Sequence, residues 1–294
     1  MRLSLLSSGA LLFTLACNLN GNNNVATSKK LTDSAEVLIE HGKLKTAENV
    51  LTKAIELDRD NAVAYNDVAI CKFRENAPSD TVMYYIEKAK SKGPHLIAPY
   101  LNLADMYFKN NDFKNAISEA EKCIKIIDTN DLTEIQLLSE TYDIAGKASN
   151  ELEHFDSAIF YLKKAIEYNH NNYSAYRAIS YSYVRTSKYT EAIKAATKAI
   201  EEDSLNSGRA VYCNRGICFN AIGQYDLALK DYNKAIEIAP KTPEYFLNRG
   251  TLYMEMNEKD KAFSDFKKAE LLGGPKAINY FNETQKWLNS PSRK

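Results

Sequence analysis

Apolar positions recur along this chain with a helical period, and the pattern restarts at a fixed interval. Between residues 209 and 242, Tyr212, Gly216 and Phe219 share one face of a first predicted helix. Ala228, Tyr232, Ala235 and Ile236 share one face of a second. This three-and-four spacing lets an amphipathic helix bury a single stripe. Gly223-Gln224-Tyr225 marks the turn between them, where glycine can take the backbone conformation that ends a helix. Pro240 stops the second helix. The arrangement returns with a 34-residue period in 104–123, 146–165, 216–235 and 250–269. Each of these stretches opens on Ala or Gly. Ala116, Ala158, Ala228 and Ala262 follow twelve positions later, and another small residue comes seven after that. Small residues at such places let two helix backbones approach closely. Repetition at this period predicts a stack of helical hairpins, an architecture that more often holds other molecules than transforms them.

Alignment on the small residues gives seven repeats: 28–61, 62–96, 97–130, 139–172, 173–206, 209–242 and 243–276. The small residues are Ala35, Ala47 and Ala54 in the first, Ala69, Val82 and Ala89 in the second, and Ser180, Ala192 and Ala199 in the fifth. The second repeat carries one extra residue near Pro78. An insertion at 131–138 is expected to lengthen the first helix of the fourth repeat, and Ser207-Gly208 is a shorter insertion. The seventh repeat closes on Gly273-Gly274-Pro275. Residues 277–294 read as a capping helix and tail, with Ile278, Phe281 and Leu288 near one face and Trp287 in the cap. A solenoid end needs such a cover. From Asn214-Arg215-Gly216 through Ala239-Pro240, and more loosely over 28–276, the chain resembles the tetratricopeptide repeat family. That resemblance implies an all-α solenoid of about seven helix-turn-helix repeats, wound into a right-handed superhelix whose concave groove is lined by the first helices.

The N-terminus stands outside the period. Arg2 is the only charge before Lys29, and 3–16 is an apolar run too short to span a bilayer as a permanent helix. Such a start describes a secretory signal at 1–16. Leu15-Ala16-Cys17 resembles a bacterial lipobox, although Thr14 stands where Leu usually lies. Cys17 is therefore the expected acylated residue, and a lipid bilayer the expected partner at that end. The polar, uncharged stretch 18–24, with five Asn, reads as part of a flexible tether over 17–27. The residue after Cys17 is Asn18, with no acidic run beyond it. This favours a bacterial cell envelope, lipid-anchored at the outer membrane and facing the periplasm.

Charge narrows the partner. Lys+Arg and Asp+Glu number 38 each, so the formal net charge is zero. A main nucleic-acid partner would call for a basic excess, and a polybasic membrane surface likewise. Cys71, Cys123, Cys213 and Cys218 match no zinc or CxxC spacing and read as free, packed thiols. His41, His95, His154 and His170 fall at or near helix ends and do not cluster. No metal, no cofactor and no catalysis are expected, because the phosphate-loop, dinucleotide and nucleophile-elbow motifs do not occur. Many of the nineteen tyrosines belong to the repeat: Tyr65, Tyr100, Tyr142, Tyr176 and Tyr212 at position 4, Tyr107, Tyr183 and Tyr253 at position 11, and Tyr189 and Tyr225 at position 17. These are expected to wedge between helices.

The remaining chemistry lies on the first helices, where the resemblance implies ligand contact at positions 2, 5, 6, 9, 12 and 13. The first three repeats offer Asp33, Glu36, Glu40, Asn66, Asp67, Arg74, Asn102, Asp105 and Lys109. The fourth adds Asp143, Lys147 and Asn150, and the seventh Asn248 and Glu255. The strongest candidates for a partner-binding groove are Arg177, Tyr181, Arg185, Asn214, Asn220, Asn248 and Lys147. Arginine suits a carboxylate, and Asn bonds an extended peptide without demanding a sequence. Arg177 with Asn214 resembles the carboxylate clamp of chaperone-binding members, but Glu244 stands where the clamp needs a base. The expectation is a membrane-anchored scaffold or adaptor that binds a peptide segment or protein partner and supports assembly of a cell-envelope complex. The alternatives are a carbohydrate-binding outer-membrane lipoprotein, or a self-associating assembly subunit.

Overall fold

The computed structural model describes residues 8–128, 132–202 and 209–274. Among these residues there are fourteen helices and no strand. The chain divides into two compact units, Met1–Asp128 and Thr129–Lys294. In unit 1, three hairpins pair α1 (Ser8–Glu40) with α2 (Leu44–Leu57), α3 (Ala62–Arg74) with α4 (Ser79–Lys92), and α5 (Ile97–Lys109) with α6 (Phe113–Ile126). In unit 2, four hairpins pair α7 (Leu132–Glu151) with α8 (Phe155–Tyr168), α9 (Tyr173–Arg185) with α10 (Tyr189–Glu202), α11 (Arg209–Ala221) with α12 (Tyr225–Ile238), and α13 (Pro243–Glu255) with α14 (Lys259–Leu271). The described residues thus form seven helical hairpins, the number expected. The insertion before the fourth appears in α7, which has 20 residues where α9, α11 and α13 have 13 each.

The period has a steric cause. A Cβ added at Gly146 would meet Leu162 at 2.5 Å, one at Gly216 would meet the Tyr232 ring at 2.8 Å, and one at Gly250 the Phe266 ring at 2.6 Å. In these three hairpins, the glycine at position 8 of the first helix thus receives the residue sixteen places later on the second. In the third hairpin the same two positions are Ala104 and Ala120, and both are fully buried. Ala158, Ala228 and Ala262 are buried completely as well. Tyr232, Phe266 and Leu162 fill the space that glycine leaves, at the packing density that makes cores intolerant of added atoms.

Every hairpin turns on a left-handed residue at position 15: Gly42, Asn76, Asn111, Glu153, Ser187, Gly223 and Asn257, all with φ between 56° and 76°. The amide of the next residue, as in Lys43, Gln224 and Glu258, closes back onto a carbonyl of the first helix. Polar relays join successive hairpins. Asn61 caps α3 by accepting from the Ala64 amide, while its own amide donates to Ser28 and Thr32 on α1. Asn172 repeats this at α9, accepting from the Ala175 amide and donating to Ser139 on α7. Ser28 and Ser139 in turn donate to the carbonyls of Ala54 and Ala165. These bonds satisfy groups that a helix end leaves open.

Several features of the structure bear on the sequence expectations. The stretch 18–24, expected as a flexible tether, is helical, because α1 extends back to Ser8. Adding residues to an established helix costs little per step, even for asparagine. The capping helix with Trp287 and the first seven residues of the expected signal lie outside the described residues. The position-4 tyrosines are half-buried rather than enclosed, and Tyr225 is exposed; Tyr183 is buried. All four cysteines after Cys17 are buried, and none forms a disulfide among the described residues. Burial pushes the Cys71 and Cys213 thiols up to about 11 and that of Cys218 to about 12. No helix among the described residues is long and apolar enough to cross a membrane.

Candidate peptide-binding face

In unit 2 the first helices stand side by side, α7 against α9, α9 against α11, and α11 against α13. This layer carries the seven strongest groove candidates named from the sequence. Most of them are already engaged. Lys147 pairs with Asp143 at 3.0 Å and reaches Ser174 at 3.3 Å. Arg185 donates to the Tyr181 hydroxyl at 2.6 Å, pairs with Glu153 at 3.3 Å, and lies 4.6 Å from the centroid of the Phe155 ring. Tyr181 meets Phe155 edge-on with centroids 6.2 Å apart. The Tyr181 hydroxyl and the Glu153 carboxylate beside Arg185 push its pKa further up, so it is a permanent cation. Asn248 donates to the Cys213 sulfur at 3.2 Å, and Asn220 donates to Glu255 at 3.3 Å.

Two candidates are uncommitted. The Arg177 guanidinium is exposed, the Asn214 amide is half-exposed, and neither makes a side-chain hydrogen bond or ion pair with the described residues. Arg177, Tyr181 and Arg185 are spaced four apart on α9, so they lie along one side of that helix. Among the described residues, the face therefore presents one free cation, one free amide, and an exposed ring held in place by a second cation. That set can accept a carboxylate or carbonyl beside an apolar group.

Other polar residues proposed for ligand contact serve the fold. Asn150 is buried, donates to the Ala178 carbonyl at 3.0 Å and accepts from the Ser182 hydroxyl at 2.7 Å. Asn220 is its counterpart two hairpins on, but Leu252 stands where Ser182 does, and the buried Oδ1 of Asn220 has no donor among the described residues. Asn66 and Asp67 in unit 1 are buried and bonded to each other, with Asn102 donating to Asn66 at 3.0 Å. Burial, with a smaller contribution from Glu36, pushes the Asp67 carboxyl up to about 7 against the hydrogen bond from Asn66.

The sequence reading missed a pair of buried ion pairs. Arg215 grips Asp231 through two bonds of 2.7 and 2.9 Å, and also donates to Thr197. Arg249 grips Asp265 through two bonds of 2.7 Å, and donates to Asn233. Both carboxylates are at most 5% exposed. The signal was present as Arg-Gly followed sixteen residues after the Arg by Asp, twice at the repeat period. At the equivalent place in unit 1, Glu119 is buried and paired with Lys90 and Lys122. Among the described residues, no group of three or more His, Cys, Asp or Glu side chains is placed to hold a metal ion.

Family models described as "Tetratricopeptide repeat" match residues 97–130, 146–207, 210–242 and 243–272, together more than half of the chain. Hsp70-Hsp90 organizing protein 1 of Glycine max is 26% identical over 234 residues, covering 76% of this chain and 38% of that protein. Hsp70-Hsp90 organizing protein 3 of Arabidopsis thaliana is also 26% identical, over 257 residues, covering 84% of this chain and 40% of that protein. The chain thus spans about two fifths of the length of these relatives. Among solved structures, PilF of Pseudomonas aeruginosa superposes with a TM-score of 0.66 at 16% identity, covering 76% of this chain and 96% of that one. YrrB, described as "a TPR protein with an unusual peptide-binding site", superposes with a TM-score of 0.54 at 22% identity, covering 65% and 92%.

Proposed function

We propose, from the premise that this chain belongs to the tetratricopeptide repeat family, that it is a non-catalytic adaptor taking an extended peptide segment of a partner protein on the α7–α9–α11–α13 face. The observation that carries this reading is the pair of uncommitted polar side chains, Arg177 and Asn214, beside the exposed ring of Tyr181. A surface guanidinium in water loses little by finding a carboxylate, and a braced aromatic ring adds contact area at small entropic cost. The chaperone-organizing relatives and the peptide-binding description of YrrB point the same way.

The test is selection of binders from a displayed library of random peptides on the purified protein, with Arg177→Glu/Arg185→Glu panned in parallel. The double variant is expected to lose at least tenfold in affinity for the selected peptides at unchanged melting temperature. Equal affinity would move the site off this face.

The reading extends to location: acylation at Cys17 holds the adaptor on a lipid surface of a bacterial envelope, where it supports assembly of a complex. The support is the lipobox-like Leu15-Ala16-Cys17 after an apolar run. A single acyl chain anchors only marginally, so several chains at that residue are required. Replacement of Cys17 by Ala is expected to move the protein from the membrane fraction to the soluble one. Full retention with membranes would remove the anchor.

A further inference from the structure

Between α2 and α4 of unit 1 lies a cavity of about 390 Å³, with Val68 of α3 in its floor. Three rings wall it: Tyr65, Tyr84 and Tyr85. Tyr84 is 55% exposed and meets Tyr85 edge-on, with centroids 5.2 Å apart. Lys88 lies over the Tyr84 ring at 5.6 Å without lining the cavity. Glu56 and Arg59 stand exposed on the opposite rim. Neither they nor the three tyrosine hydroxyls make a hydrogen bond or ion pair with the described residues. The corresponding cavity in unit 2, between α10 and α12, is built differently. There the Arg215 fork on Asp231 ties α11 to α12. In the second hairpin Val68 and Tyr85 take those two positions, and Tyr84 takes that of Lys230. Positions that elsewhere hold a polar tie are thus given to rings facing an empty space.

Two ion pairs between the hairpins flank this cavity. Lys72 pairs with Glu48 at 2.6 Å, and Lys92 with Asp60 at 2.6 Å. Glu48 stands about two turns before Glu56 on α2, and Asp60 directly after Arg59. Lys72 is within electrostatic reach of Tyr85, and Lys92 of Tyr65. Both ends are therefore crossed by side chains, which suits a short ligand and not a continuous chain. The free charges on the rim are one of each sign. A cation would be repelled by Arg59 and an anion by Glu56. A neutral ring bearing many hydroxyls satisfies both, because a hydroxyl donates to a carboxylate and accepts from a guanidinium. Its C–H face can lie on a phenol ring, whose own face carries partial negative charge. We infer that this cavity is a saccharide-binding site that takes one or two neutral pyranose rings, stacked on Tyr84 and bonded to Glu56 and Arg59. Its volume falls within the range of about 300–1,000 Å³ typical of small-molecule sites. The site uses none of the residues proposed to hold the peptide.

The experiment applies the full chain to an immobilised array of neutral hexoses, N-acetylhexosamines and their disaccharides. The saccharide retained is then titrated by calorimetry and by ligand-observed NMR. Tyr84→Ala should lose at least tenfold in affinity, and Glu56→Gln with Arg59→Gln likewise. Melting temperatures should not change, since all three side chains are exposed. The ring current of Tyr84 should move C–H protons of the bound sugar upfield. That shift should vanish in Tyr84→Ala and persist in Tyr84→Phe, which keeps the ring.

Arg177→Glu/Arg185→Glu should bind the saccharide as wild type does, and a tenfold loss there would place the sugar on the first helices and overturn the inference. An array that retains nothing overturns it, as does a saccharide held equally by wild type and Tyr84→Ala. Tetramethylammonium and adenine are titrated as rival probes of an aromatic cavity. Tyr84-dependent binding of either, with no saccharide bound, also overturns it. None of these results bears on the peptide face, which the displayed library tests separately.

Discussion

Gly250 receives the Phe266 ring so closely that a methyl group has nowhere to go. Gly250→Ala is expected to destabilise by about 1–3 kcal/mol, the usual cost of forcing atoms into a packed core, and Phe266→Leu in the same chain should return part of it. Thermal unfolding measures both. Asp67 gives a prediction with a pH sign. Its folded-state pKa, about 7, lies above the ordinary 3.8, so the native state holds a proton that the unfolded chain releases. Stability from this residue falls as pH rises from about 4 to about 7, and the penalty is complete above that. Asp67→Asn should therefore gain on wild type by a few kcal/mol at most, an amount present at pH 8 and absent at pH 3.5. Urea denaturation at the two pH values decides it, and equal differences would mean that Asp67 ionises normally. Glycines 146, 216 and 250 could be read from the chain, because close backbone approach leaves only small residues at fixed intervals. The lone Oδ1 of Asn220 could not. It depends on a hydroxyl that Leu252 lacks one helix away, and a missing donor leaves no mark in a pattern of side chains.

At the scale of elements, each second helix of the sixth and seventh hairpins is pinned to its first by a forked ion pair. Asp231 is 3% exposed, so removing its partner strands a buried charge. Arg215→Met is expected to cost about 3–5 kcal/mol, whereas Arg215→Met with Asp231→Leu should recover most of the loss, since an apolar replacement of a buried pair is often neutral or better. Chemical denaturation of both variants tests this, and a double variant as weak as the single one would refute it. Helix number, pairing and the long α7 followed directly from periodicity and from the 131–138 insertion. The ion pairs did not, because Arg215 and Arg249 look like solvated charges until the helix carrying Asp231 and Asp265 is folded against them. Tyrosines gave a mixed return. A period of 34 placed them at the helix interfaces, but it does not say how much of a ring stays wet, and Tyr225 stays exposed.

On the scale of the whole molecule, stability in stacked hairpins is approximately a sum of single repeats and nearest-neighbour interfaces. Unit 2 contains four hairpins and all the residues proposed to touch the peptide. A fragment of residues 129–294 is therefore expected to melt cooperatively and to bind the selected peptide within about twofold of the full chain, as measured by calorimetry. A fragment that folds but loses tenfold in affinity would mean that unit 1 contributes to the site. The same separability bears on descent. The contacts that hold a hairpin closed lie at positions 8 and 24, and the polar steps between hairpins lie at positions 5 and 6. A replacement such as Ala for Asn at position 6 opens a step without touching the core. Recognition in this chain is thus mutationally cheap: a lineage can lose a binding slot at one hairpin and gain another further along by single substitutions, while the scaffold beneath stays under unchanged selection.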